Sequence, residues 1–342
     1  MGFEVRIYLF ASCVDSATGE GQLYKAVENE LTSKGYELIF KGIRPTTHVQ
    51  SFFNNYIRSN LLLLHCIFFK ILNSKSQVCF VNFCPIWNPL VAFAAHFGVI
   101  LGPLTGAVQD FSIIGRYVSP GYTRMYLLPM LARIFRFFLP SDMLYWTATS
   151  SGNLYIGAKH KTIFLPAGIV TAGLIGPILS NRLSVDKKFD FLIYSRDHPM
   201  KWHSVAKGLA LKLSTKGFKG VFIGEVLDSN SNIESYSIVD SSQFNDMLNA
   251  SRFYINLTFE DGGIAPYQAL KLGVPVLFHE HTAFSRTRGS DGLLKCSALA
   301  SGDIDAIVDI LRDSASRILS TQETAFHARV KLDKWISENF PK

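Results

Sequence analysis

Apolar residues along this chain alternate between short continuous runs and stretches of helical period, and that alternation predicts most of its elements. Residues 5–10 (Val-Arg-Ile-Tyr-Leu-Phe) read as a buried strand. Residues 22–34 put Leu23, Ala26, Val27, Glu30 and Leu31 at helical spacing, Gly35 ends that helix, and residues 36–40 form the next strand. This is a βαβ opening. The pattern continues with a helix at 51–72, a strand at 78–83, a helix at 88–97, a strand at 99–101, and strands at 144–149 and 161–165. Residues 166–188 are rich in Gly, Ala, Ser and Pro, lack periodicity, and read as a linker. Beyond them come strands at 189–194, 218–223, 236–239, 253–257 and 274–278. They alternate with helices at 202–216, 243–249 and 266–272, and two helices, 303–318 and 323–340, close the chain. Alternating strands and helices imply an α/β protein with parallel sheets. The length suits a first domain at 1–168, a linker at 169–188, a second domain at 189–320 and a terminal helix at 321–342.

Charge changes the picture in one half of the chain. The net charge is +7. Between residues 38 and 141 the bases are Lys41, Arg44, Arg58, Lys70, Lys75, Arg116, Arg124, Arg133 and Arg136, against the single acid Asp110. These bases sit among Phe and Leu rather than in lysine clusters, which favours an anionic membrane surface over nucleic acid as partner. Residues 122–139 carry three arginines, no acid and a large apolar load, the composition of an interfacial amphipathic helix, or equally of a core helix whose arginines reach outward. No run is long and unbroken enough to span a membrane, and the charged start reads as a strand rather than a leader. Five cysteines without a CxxC pair imply free thiols in a reducing compartment.

The stretch that points to chemistry is Thr258-Phe-Glu-Asp-Gly-Gly-Ile-Ala-Pro-Tyr-Gln-Ala-Leu-Lys-Leu-Gly-Val-Pro-Val-Leu277. A strand end, an acid pair (Glu260, Asp261), two glycines (Gly262, Gly263) and a helix start at Pro266 make a corner suited to a polar or anionic ligand at the carboxyl edge of a parallel sheet. It resembles the signature of retaining, nucleotide-sugar-dependent glycosyltransferases of family 4, in which one Glu precedes a second by eight positions. Glu260 matches the first acid, Gly263 the glycine and Gly273-Val-Pro-Val276 the following strand, while Gln268 replaces the second Glu. Gly102-Pro-Leu-Thr-Gly106 is similar to a glycine-rich loop of the same family, and otherwise reads as a Pro-Gly turn.

The resemblance implies the GT-B fold: two Rossmann-like domains with parallel sheets facing a central cleft. It implies a metal-independent retaining transferase that needs no cofactor and moves a sugar from a nucleotide-sugar donor to a lipid-linked or glycan acceptor. Bacterial polysaccharide assembly (O-antigen, lipopolysaccharide or capsule) is the implied setting, with the protein peripheral on the cytoplasmic face of the membrane. In the resembled family the first strand of the second domain ends in Gly-Arg-x-x-x-x-Lys-Gly. Arg196 and Lys201 have that spacing, and the family's pair contacts the donor diphosphate. Glu260, with the backbone of Gly262, Gly263 and Ile264, would hold donor sugar hydroxyls, and Gln268 would stand at the ribose. Val239 would lie by the base, and Gly19 and Gly21 would face the diphosphate and acceptor. His279-Glu280-His281 lacks a third ligand at metal spacing. No P-loop, G-x-G-x-x-G or serine nucleophile elbow occurs, and no Asp-x-Asp pair lies near a strand end. The alternatives are an inactive GT-B protein that binds a membrane or partner, and a nucleotide-sugar epimerase or hydrolase of the same fold.

Overall fold

A computed structural model describes residues 6–14, 19–40, 52–105, 123–171, 187–197, 201–228, 232–258, 263–279, 293–296, 299, 303–313 and 322–340. The chain divides into two compact units. Described residues up to Thr171, together with the chain from Arg329 onward, form the first, and those from Lys187 to Ala328 form the second.

In the first unit β1 (Arg6–Phe10), β2 (Glu37–Phe40), β3 (Gln77–Phe80) and β5 (Ile100–Leu101) form a parallel sheet in the order β2-β1-β3-β5. A second parallel sheet has the order β4-β6-β7-β8, from Cys84–Pro85, Leu104–Thr105, Leu144–Thr147 and Lys161–Phe164. Strands buried on both faces carry continuous apolar runs, as Val78, Cys79, Phe80 and Val81 do here. The expected turn at 102–106 instead contains β6. Gly102 permits it, because a Cβ there would come within 2.9 Å of the Asn82 carbonyl oxygen.

Helix α1 (Gly19–Ser33) buries Leu23, Tyr24, Val27 and Leu31, one stripe at helical spacing. Helices α2 (Phe52–Leu72) and α3 (Pro89–His96) pack into the core around Phe10, Phe80 and Leu101, and α3 is capped by the Asn88 side chain on the Leu90 amide. A π-helical turn (Thr123–Leu127), α4 (Leu128–Phe135) and a 3₁₀ turn (Arg136–Phe138) replace the single helix expected at 122–139. Helix α5 (Ser150–Gly157) follows β7. The expected linker opens with a helix, α6 (Ala167–Thr171), whose residues are all buried and which packs on α1. Its Gly and Ala are there for close packing, which composition alone reads as loop. The end of the chain seats in the same unit: Trp335 meets Trp146 edge-on at 5.6 Å, Lys34 pairs with Asp333 at 2.8 Å, and the Tyr36 hydroxyl donates to the Phe340 carbonyl.

The second unit is one six-stranded parallel sheet in the order β11-β10-β9-β12-β13-β14. Its strands are β9 (Phe189–Tyr194), β10 (Gly220–Ile223), β11 (Ile233–Tyr236), β12 (Ser251–Asn256), β13 (Val276–Phe278) and β14 (Leu293–Lys295). Helices α7 (His203–Thr215), α8 (Ser241–Asn249), α9 (Ala265–Lys271) and α10 (Ile304–Asp313) alternate with them, and α11 (Gln322–Asn339) ends the chain. The core joins Phe191, Ile193, Phe222, Phe253 and Ile255 to Leu209, Leu213, Ile307 and Leu311. The strand expected at 236–239 lies instead at 233–236, in register with 220–223. Ile238 is 86% exposed, so the β-branched Ile238-Val239 pair belongs to the loop before the capping box of Asp240 and Gln243.

Candidate functional site

The winding of the second sheet picks out one place. The chain starts at β9, moves outward to β10 and β11, then restarts on the other side of β9 with β12, β13 and β14. The carboxyl ends of β9 and β12 therefore flank a topological switch point, where diverging loops leave a crevice for ligands in open parallel sheets. The loop after β9 holds Ser195, Arg196 and Asp197, and further on Lys201. The loop after β12 begins at Leu257 and Thr258 and reaches Gly263, Ile264 and α9. Arg196 and Lys201 thus share one sheet edge with Gly263, Ile264 and, one turn into α9, Gln268. Glu260 and Gly262, the central residues of the sequence signature, lie outside the described residues. A Cβ on Gly263 would make only an ordinary contact, with Pro266 at 3.8 Å.

Ser195, which opens the loop after β9, is tightly held. The Ser195 amide donates to the Ile223 carbonyl at 2.8 Å, and its hydroxyl donates to the Lys201 carbonyl at 3.1 Å. Its own carbonyl accepts from His203 Nδ1. Gly224, at φ +139°, lets this loop cross the end of β10: a Cβ there would stand 2.0 Å from the Ser195 oxygen. Arg196, the next residue, is exposed, whereas Lys201 is only 8% exposed with its Nζ 5.8 Å from the Tyr194 ring centroid. Trp202 stands where the family pattern has glycine after the lysine. Its backbone is left-handed, φ +51° and ψ +44°, alone among the described non-glycine residues in having positive φ. The conformation a glycine serves is kept by a residue that must be forced into it, a strain that persists only where surrounding structure over-determines it. The Trp202 ring meets buried His279 edge-on at 5.8 Å.

Beneath the loop lies a charged cluster absent from the sequence reading. Glu225 accepts from Lys207 Nζ at 2.6 Å and faces His203 Nε2 at 2.9 Å. The hydrogen bonds from Lys207 and then His203 hold the Glu225 carboxyl below its usual value. His203 and Lys207 are one helical turn apart and Glu225 follows a buried strand ending in glycine. That spacing was the available signal, though the pairing needs the topology.

Other expected residues fall elsewhere. Val239 lies past β11, two strands out from β9, half-buried. Gly19 and Gly21 belong to the first turn of α1, with Gly21 buried, rather than to the preceding loop. In the first unit the winding reverses between β1 and β3, and Asn82 bridges that point, donating to the Ser12 and Ser59 hydroxyls at 2.8 Å each. Burial pushes the Cys66, Cys79 and Cys84 thiols up, Cys84 to about 12, which keeps them protonated and unreactive. Glu280 and His281 lie outside the described residues, and among the described residues no cluster could hold a metal ion.

No protein-family model matches the chain, and no curated protein sequence matches it. Solved structures do. A UDP-N-acetylglucosamine 2-epimerase from Rickettsia bellii superposes with TM-score 0.56 at 11% identity, over 98% of this chain and 96% of its own. A glycosyltransferase from Rickettsia africae ESF-5 gives 0.55 at 12%, over 99% and 100%. WaaG, a glycosyltransferase involved in lipopolysaccharide biosynthesis, gives 0.53 at 12%, over 97% of each chain. The fold is therefore GT-B, as the sequence motifs imply. It is shared here by sugar transferases and by a nucleotide-sugar epimerase.

Proposed function

We propose that this protein is a retaining, metal-independent glycosyltransferase that moves a hexose from a nucleotide-sugar donor to a lipid-linked or glycan acceptor. The reading includes the family 4 likeness and a role in bacterial surface-polysaccharide assembly. Its main support is the placement of Arg196 and Lys201, five residues apart, in the chain that leaves β9 beside β12, at the edge that a parallel sheet offers to ligands. Two held cations stabilise a departing diphosphate more than a bound one, because charge grows on it as the bond breaks. In this mechanism the C1–O bond to the diphosphate breaks and the acceptor hydroxyl oxygen bonds C1 on the same face. The hydroxyl proton passes to the departing phosphate, so no protein nucleophile takes part. Glu260, with the backbone of Gly262, Gly263 and Ile264, holds sugar hydroxyls. Gln268 takes the ribose.

The same reading puts the first unit on an anionic membrane surface, where a lipid-linked acceptor resides. Supporting it, Phe68 and Leu72 of α2, Phe93 and Phe97 of α3, and Phe137 and Phe138 of the 3₁₀ turn are all large, apolar and exposed. Phe93 and Phe138 are 6.3 Å apart, so the last two groups are continuous. Arg133 is exposed beside them, and Lys159 lies 4.1 Å from the Phe137 ring centroid. Apolar rings ringed by bases suit headgroups and the acyl boundary below them. Arg136 is committed elsewhere, donating to the Tyr155 carbonyl at 2.9 Å and stacking on its ring. Among the described residues no helix is long and apolar enough to cross a membrane.

The epimerase likeness favours a second reading, in which a nucleotide sugar is converted without an acceptor. Incubation with UDP-sugars, with and without oligosaccharide acceptors, separates the two. Acceptor-dependent release of UDP supports transfer, whereas acceptor-independent epimer or free sugar supports the alternative.

A further inference from the structure

His203 is the first residue of α7 and lies under the loop that carries Arg196. Its Nδ1 meets the Ser195 carbonyl oxygen, and its Nε2 meets the Glu225 carboxylate at 2.9 Å. Both partners can only accept, Glu225 being kept ionised by Lys207. Only a ring protonated at both nitrogens satisfies them together. Among the described residues this ring meets Glu225 after β10, Ser195 after β9 and the apolar Phe222 ring at 5.8 Å, and Lys207 on its own helix bonds Glu225. The ring therefore joins the ends of two neighbouring strands, β9 and β10, through a carbonyl one residue before Arg196.

We propose that His203 is a positioning residue: held between Ser195 and Glu225, its imidazolium fixes the loop that presents Arg196 and so tightens the grip on a diphosphate. This rests on the reading of Arg196 as a diphosphate ligand. The other restraints on Ser195, its bonds to Ile223 and Lys201 and the close approach of Gly224, fix its amide, its hydroxyl and one side of its carbonyl. The carbonyl's remaining direction is set by His203. An unanchored carbonyl lets the peptide between Ser195 and Arg196 rotate, and rotation redirects the arginine.

The test is binding of UDP and of inorganic pyrophosphate to the full chain by calorimetry. Wild type is compared with His203→Ala, His203→Asn and His203→Gln, with melting temperatures measured alongside. Asparagine puts a donor where Nδ1 stands and glutamine puts one where Nε2 stands. The expected result is a loss of about tenfold or more in His203→Ala, the scale of a hydrogen bond to a charged group. His203→Asn recovers most of the affinity and His203→Gln does not. Equal affinity in wild type and His203→Ala overturns the role, as does a His203→Asn no better than His203→Ala. Losses that merely follow melting temperature also overturn it, by showing a stabilising residue only. A wild type that binds neither probe refutes the diphosphate reading itself, a result distinct from all of these.

Discussion

Replacing Gly224 by alanine tests whether the Arg196 loop is held where the site needs it. A Cβ at this position would stand 2.0 Å from the Ser195 oxygen, 2.6 Å from its carbonyl carbon and 3.1 Å from the Arg196 Cα. All three are backbone atoms, so the clash cannot be relieved by a side-chain turn, and the loop or the end of β10 must shift by about 1 Å. The left-handed φ adds roughly 1–3 kcal/mol for a residue with a Cβ. The shift also weakens the Ser195 bonds to Ile223 and His203, at about 0.5–1.5 kcal/mol for the first and 1.5–3 for the charged second. The total is about 3–7.5 kcal/mol. Gly217 is the internal control: its φ is +87° but nothing lies within 4 Å of its Cβ position, so Gly217→Ala costs only about 1–2 kcal/mol. Urea unfolding of the two variants, with UDP binding measured on whatever remains folded, checks both halves. Gly224→Ala should be the less stable by about 2–5.5 kcal/mol, or else should lose nucleotide binding by moving the loop. If it matches Gly217→Ala in stability and in binding, the loop is not seated as described.

Further outcomes follow from the same contacts. Burial, and then a hydrogen bond to the Asp333 carboxyl, raise the Glu30 carboxyl above its usual 4.5. A raised carboxyl contributes stability below its unfolded value that is lost as pH rises through the folded value, so Glu30→Gln should flatten the decline of stability above about pH 4.5, as measured by chemical unfolding across pH. Changing Phe68 and Phe137 together to glutamate should cut binding to anionic vesicles by about tenfold or more, since each ring buried in the interface is worth about 1.5–3 kcal/mol. Equal binding of wild type and variant, measured by flotation, removes that face. Gln268→Glu should leave donor affinity within about tenfold, because the amide keeps a carbonyl acceptor at the same reach. Glu260→Ala should be far more damaging than Gln268→Ala in a steady-state assay.

Where the sequence was readable, the reason is burial. The runs 189–194 and 253–257 are apolar because they form central strands covered on both faces, and β9 (Phe189–Tyr194) matches the expected span residue for residue. Of the two-residue strands only β5, inside the expected 99–101, was readable. β4 and β6, two residues each, have no period to detect, and β14 (Leu293–Lys295) follows a polar stretch. The segment 236–239 looked like a strand from β-branched propensity, but register with β10 decided for 233–236. Part of the candidate site was legible as motif, in that Arg196, Lys201 and Gly263 follow neighbouring strands, β9 and β12, at one edge of the sheet. What makes the loop rigid was not. Gly224, Trp202 and the His203–Glu225–Lys207 cluster act through strands adjacent in space but twenty or more residues apart in sequence.

The most direct test of the account is thermal unfolding of the full chain against a panel of nucleotide sugars and their nucleoside diphosphates, repeated in Arg196→Ala and Lys201→Ala. A ligand held only by the folded state at a hundred times its Kd adds about 2.7 kcal/mol of stability, which raises the melting temperature measurably. The account predicts that at least one nucleotide sugar and its diphosphate stabilise the wild type, that either substitution abolishes the shift, and that both cut turnover about a hundredfold or more. A panel in which no nucleotide shifts the wild type, or in which both variants shift as the wild type does, contradicts it.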